Sequence, residues 1–113
     1  MGGKMNRIVK IDSIHSGKVA FIFEDGQRLS FVFDFGTYTD NHINYEVYEK
    51  EQRGECCRWE STNVEVYGAE GEKINEYLIK EYGSAPACGV PVDDIPKIIK
   101  FVRNLEVENV AKD

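Results

Sequence analysis

The side chains able to do chemistry in this chain are three cysteines, two histidines, six tyrosines and a surplus of carboxylates. Cys56 and Cys57 are adjacent, whereas Cys88 stands alone. On a strand, neighbouring side chains point to opposite faces, so Cys56 and Cys57 cannot chelate one ion without distorting the backbone. No C-x-x-C or H-x-x-x-H pair occurs, so the ligand spacing of a zinc site is missing and no metal or other cofactor is expected. The same strand arrangement makes Cys57 a small core residue beside Trp59 and leaves Cys56 partly exposed.

A thiol nucleophile needs a base to take its proton. His15 and His42 are the only histidines, and His15 falls at a turn tip. Cys88 precedes a helix start, which favours a thiolate, but Asp93 and Asp94 nearby oppose one. His42 and Asp40 lie two residues apart in a turn, a spacing that specifies no acid–base pair. Gly68-Ala69-Glu70-Gly71 stands ahead of a helix, where anions are favoured, yet Glu70 and Glu72 would repel phosphate. P-loop, dinucleotide, H-E-x-x-H, G-x-S-x-G and EF-hand patterns are all absent.

What remains is a charged, tyrosine-bearing middle. Residues 40–82 hold eleven acids against five bases, which accounts for the whole net charge of −6. Direct nucleic-acid binding ordinarily begins with a basic footprint and is not expected. An acidic surface instead suits a basic protein partner. Tyrosine offers an apolar body with a polar tip and is favoured at interfaces. Read as strands, the segment puts Tyr48 and Tyr67 opposite the apolar rows, alternating with Glu46 and Glu65. These four residues are the expected partner-binding set, and Tyr45 and Trp59 are expected in the core.

The elements that position these groups begin with a meander over residues 7–35. Residues 18–23 (KVAFIF) and 28–35 (RLSFVFDF) alternate with period two, as half-buried strands do. A two-residue turn at Asp25-Gly26 would set Phe21 opposite Ser30 and throw the aromatic rows onto opposite faces. A three-residue loop, with Gly26 in the left-handed position of a bulge, sets Phe21 opposite Leu29. A one-residue slip flips every side chain, so burial selects the longer loop. A loop of His15-Ser16-Gly17 likewise pairs Ile14 with Lys18, Ile11 with Phe21 and Val9 with Phe23. One apolar face follows: Val9, Ile11, Val19, Phe21, Phe23, Leu29, Phe31 and Phe33. The opposite face (Lys10, Asp12, Ala20, Ile22, Ser30, Val32, Asp34) is mixed and should meet water or a thin cover.

Further strands are expected within 43–67: one at Ile43–Tyr48, one at Cys56–Glu60, and Val64–Tyr67 as a sixth strand or the continuation of the fifth. From about Glu70 the period becomes helical. Ile74, Tyr77, Leu78 and Tyr82 share a face, and Gly83 is placed to stop the helix. Ser84 to Pro91 carries the Pro/Gly content of a loop. A second helix starts near Pro96 and displays Ile95, Ile98, Ile99, Val102 and Leu105, with Phe101 at the margin. Glu106 would fall inside that stripe, so the helix should end near Leu105, with a short strand or frayed tail beyond it.

The expected architecture is α+β: a mostly antiparallel five- or six-stranded sheet (meander 7–35, further strands 43–67) with two C-terminal helices (about 70–82 and 94–105) packed on one face. Residues 1–113 form one domain, with Met1-Gly2-Gly3-Lys4 as a cloning leader ahead of Met5. No apolar run reaches the ~20 residues of a membrane span, and no signal-peptide core follows the start. A soluble, cytoplasmic protein is expected.

In function, the pattern reads as a small non-catalytic protein-interaction domain, a regulator or inhibitor with a basic partner. A second reading is a small-molecule binder or thiol-dependent enzyme, with a pocket between sheet and helices near Cys57, Cys88 and His42. A homodimer paired through the sheet edge is a third.

Overall fold

The computed structural model describes residues 5–13, 17–55 and 58–105. It is an α+β fold built on one antiparallel sheet of five strands, with neighbours in chain order. The strands are β1 (Ile8–Asp12), β2 (Lys18–Phe23), β3 (Arg28–Val32), β4 (Asn63–Tyr67) and β5 (Ala87–Pro91). The helices are α1 (Tyr45–Gln52), α2 (Glu72–Tyr82) and α3 (Ile95–Arg103), the last preceded by a 3₁₀ turn at Val92–Asp94.

The meander forms in the expected register at its second hairpin. Phe21 faces Leu29 and Ile22 faces Arg28, and Gly26 adopts a φ of 90°. Asp25 secures the loop by accepting the Gln27 N–H at 3.0 Å. At the first hairpin Ile11 faces Phe21 as expected, but Ile8, not Val9, faces Phe23, because the register slips between Ile8 and Lys10. The extra residue is a bulge, which bends an edge strand. It carries the chain to Asn6, which is fully buried. There the Asn6 backbone N–H donates to the Arg103 carbonyl at 2.9 Å and its side-chain amide donates to the Val102 carbonyl at 3.3 Å. The proposed Ile14–Lys18 pair and the turn tip at His15 and Ser16 lie outside the described residues, as do Met1 to Lys4 and everything from Glu106 onward.

Both C-terminal helices pack on the aromatic face. Ile74 and Leu78 of α2 and Ile98 and Val102 of α3 join Phe23, Leu29, Phe31, Val64, Val66, Ala87 and Val90 in one core. Gly83 ends α2 in the left-handed region, with its N–H on the Ile79 carbonyl. Pro96 occupies the first turn of α3. Tyr77 of α2 stacks on Phe101 of α3 with centroids 4.1 Å apart. On the rear face Ala20 and Ser30 are nonetheless buried, and Arg28 reaches Asp12 at 2.9 Å.

Three local expectations are corrected. Ile43 to Tyr48 is not a strand: Ile43 has a φ of 50°, and Asn44 caps α1 by accepting the Val47 N–H at 3.4 Å. The meaningful spacing there is i,i+3, since Tyr45 and Tyr48 both pack on Phe35, with centroids at 5.2 and 4.4 Å. Arg58 to Glu60 makes no strand either. The Glu60 carbonyl is taken by the side-chain amide of Asn41 at 3.0 Å, where a ladder partner would stand. Cys56 and Cys57 lie outside the described residues. The segment expected as a loop contains β5 instead, with Val90 opposite Val64 and Ala87 opposite Val66. Its proline closes an edge strand, and Gly89 (φ 65°) sits at an irregularity, places where these residues are tolerated.

Candidate functional site

The rear face of the sheet gathers several of the residues marked by sequence. Glu65 on β4 is 5% exposed. Its carboxylate accepts the backbone N–H of Tyr38 at 2.6 Å and the hydroxyl of Tyr67 at 2.8 Å. The Cys88 thiol on β5 points at the same carboxylate from 3.9 Å. The loop between β3 and α1 is tied down by two further groups. Asp40 accepts the backbone N–H and hydroxyl of Thr62 at 2.7 and 2.8 Å, which lowers its pKa. Asn41 is buried, and its amide donates to the carbonyls of Phe33 and Glu60 at 2.6 and 3.0 Å. At the tip of this loop the exposed Tyr38 ring stacks on His42, centroids 4.8 Å apart, and the His42 Nδ1 lies 3.1 Å from the Thr37 carbonyl.

The electrostatics of the cluster disfavour nucleophilic chemistry. Burial pushes the Cys88 thiol pKa up, and the Glu65 carboxylate adds to it. Tyr67 is pushed up to about 12, first by its hydrogen bond to Glu65 and then by burial. A thiolate needs positive surroundings, and here its charged neighbour is an acid. Among the described residues no group of three or more His, Cys, Asp or Glu is arranged to hold a metal ion.

Of the four expected partner-binding residues, Glu65 and Tyr67 are brought together, and Glu46 and Tyr48 lie apart on α1. Glu65 is a buried tie and cannot touch a partner. Tyr48 is half-buried against Phe35, Glu46 is exposed, and Tyr67 is 38% exposed. Cys88 and His42 are both linked to Glu65 through the rear cluster. Cys88 therefore faces away from the helices and not into a pocket beneath them. Cys57 is outside the described residues.

On the helix face the structure holds a feature that sequence reasoning missed. The core cluster lies beneath α2 and α3, and among the described residues one quadrant of the apolar face is only partly covered. There Val19, Phe21, Phe33, Trp59, Val64 and Val92 line a groove of ≈ 430 Å³, with Glu60 and Ser61 as its polar lining residues. Trp59 is itself 8% exposed, and its indole N–H donates to Glu51 of α1 at 3.4 Å. Ile11, opposite Phe21 in the ladder, extends the patch outward and is 63% exposed. A width argument could have found this opening. Five strands at roughly 4.8 Å span about 24 Å, whereas two helices at roughly 10 Å cover about 20 Å.

No protein-family model matches the chain, and neither does any curated protein or solved structure.

Proposed function

We propose that this chain is a non-catalytic protein-interaction domain whose partner docks on the open quadrant of the sheet. The observation that carries the reading is the row Ile11, Phe21, Val19, Phe33 and Val92, in which Ile11 and Val92 are exposed and Phe21, Val19 and Phe33 are only partly buried at the margin of the core. Exposed apolar surface of this kind marks an interaction site more often than a folding defect. A regulator or inhibitor that works by occupying its partner suits a small domain with such a surface. A cytoplasmic setting fits, because a free thiol such as Cys88 stays reduced there. Glu60 of the acidic middle segment borders the surface, whereas Tyr38 and Tyr67 lie on the opposite face of the sheet.

A second reading, an apolar small molecule in the same groove, is favoured by its volume, which falls in the roughly 300–1,000 Å³ range of ligand sites. The scarcity of convergent polar groups in the lining weighs against it.

Affinity capture from the native host tests the proposal. The variants Ile11→Asp and Val92→Asp, both at exposed positions, should lose the captured partner while melting like the parent protein. Glu46→Lys and Tyr48→Ala should retain it. Undiminished capture by both groove variants would remove the reading.

A further inference from the structure

We propose a separate binding site, on the outer flank of α3, for a small molecule that joins a carboxylate to an apolar chain. Met5, Pro96, Ile99, Lys100, Arg103 and Asn104 line a groove there of ≈ 510 Å³, inside the roughly 300–1,000 Å³ range of ligand sites. It shares no lining residue with the groove around Phe21. Its helical residues recur at i, i+3, i+4, i+7 and i+8 from Pro96, the spacing of one helix face. Ile98 and Val102, on the other face, belong to the core.

Unmatched cations distinguish this flank in a chain of net charge −6. Lys97 reaches Glu81 and Asp94 at 3.8 Å, whereas Lys100 and Arg103 make no ion pair among the described residues. The Arg103 Nε is buried without an acceptor, and its Nη2 lies 3.0 Å from the Met5 sulfur. Buried donors ordinarily find a partner, and a thioether is a weak one. The end of α3 does not require the charge either. The Val102 and Arg103 carbonyls already accept the Asn6 side-chain amide and backbone N–H at 3.3 and 2.9 Å. An arginine fork lacking its anion suits a carboxylate, which takes two parallel N–H bonds. The unbranched, half-exposed Met5 side chain covers that fork and can swing aside at little cost.

The groove is also polarised along the helix. Lys100, Arg103 and Asn104 gather toward its C-terminal end, and Pro96 and Ile99 supply the apolar end. Pro96 to Arg103 spans roughly 10 Å of helix, the length of a chain of about eight carbons. The carboxylate therefore sits at Arg103 and Lys100, with its chain over Ile99 and Pro96.

Methyl NMR of Met5 and Ile99 in the full chain reads occupancy, with sodium octanoate as the probe and octanol and acetate as controls. Octanoate should shift both methyls saturably and bind at least ~10-fold more tightly than either control. Arg103→Gln should weaken octanoate at least ~10-fold. Lys100→Glu, at an exposed position, should weaken it at least ~5-fold while melting like the parent. Met5→Leu should retain binding. Val92→Asp should leave it unchanged, and Lys100→Glu should leave partner capture unchanged, so this site and the interaction surface stand or fall separately.

Octanol binding as tightly as octanoate would overturn the carboxylate and reduce the groove to an apolar patch. Unweakened octanoate binding in both Arg103→Gln and Lys100→Glu would overturn the site itself. If octanoate binds only after Glu106→Gln and Glu108→Gln are introduced, the chain's own acids hold the cations and the small-molecule assignment is wrong.

Discussion

Replacing Glu65 separates a structural tie from a contact residue. The carboxylate is 5% exposed and takes two short hydrogen bonds, from the Tyr38 N–H at 2.6 Å and the Tyr67 hydroxyl at 2.8 Å. The Cys88 contact at 3.9 Å adds little. Hydrogen bonds to a charged group contribute ~1.5–3 kcal/mol each. Tyr67 is 38% exposed, so water recovers part of its bond, whereas Tyr38 loses the anchor of its loop. Glu65→Ala should therefore cost ~2–4 kcal/mol, and Glu65→Gln, which keeps one acceptor oxygen, about half as much. For a domain of this size the Ala variant should melt roughly 8–15 °C lower.

Urea unfolding with Glu46→Ala as an exposed control supplies the comparison, the control staying within ~0.5 kcal/mol. Spectrophotometric titration adds a local readout, because Tyr67 should titrate well below its native value of about 12 once the Glu65 bond is gone. A Glu65→Ala protein as stable as the parent, with Tyr67 still titrating near 12, would refute the tie and return Glu65 to the list of free surface acids.

Three further outcomes follow from the same geometry. Gly17 has a φ of +79°, and a Cβ there would lie 2.6 Å from the Asp34 Cβ, whereas Gly26 has a φ of +90° with open space around it. Gly17→Ala should accordingly cost ~2–4 kcal/mol and Gly26→Ala ~1–2 kcal/mol by urea unfolding, and equal costs would contradict the close approach. The neutral phenols of Tyr67 and Tyr82 hold their protons more tightly folded than unfolded, Tyr82 through burial and its bond to Asp94 at 2.8 Å. Their stabilisation is complete below the ordinary tyrosine pKa of about 10 and is lost as pH rises through the folded values. Urea midpoints should be flat near neutrality and fall above pH ~10, with a smaller fall in Tyr82→Phe. Cys88, its pKa raised by burial and by Glu65, should react with iodoacetamide at neutral pH more slowly than free cysteine, and faster in Glu65→Gln. Peptide mapping by mass spectrometry reads that rate, and fast parent alkylation would revive thiol chemistry.

The legible parts of the sequence were those where two local signals agreed. Gly26 and the phenylalanine alternation both demand the Phe21–Leu29 register, and it is the register found. Gly83 and the Ile74–Leu78 stripe both place α2, and Pro96 and the Ile98–Val102 stripe place α3. The misreadings came where a short alternation stood alone. Ile43, Tyr45 and Val47 alternate by coincidence, and the Asn44 cap with the Tyr45–Phe35–Tyr48 contacts decides for helix. β5 was hidden because proline and glycine usually mark loops, and only its pairing with β4 reveals a strand.

Of the candidate site, Glu65 and Tyr67 were correctly put on one sheet face, but the burial of Glu65 depends on a loop from residues 33–44 folding over it. The open quadrant depends on how far α2 and α3 reach across the sheet. That is a tertiary property with no signature in any one segment.

Everything in the functional reading requires the quadrant around Phe21 to be open in the isolated protein. Methyl NMR with a soluble gadolinium chelate measures this directly. Methyl signals of Ile11, Val19 and Val92 should broaden strongly, while those of Val66, Ile74 and Ile98, which are fully buried, stay sharp. If Ile11 and Val19 are as protected as Ile98, the sheet face is already covered and the groove has no partner to receive.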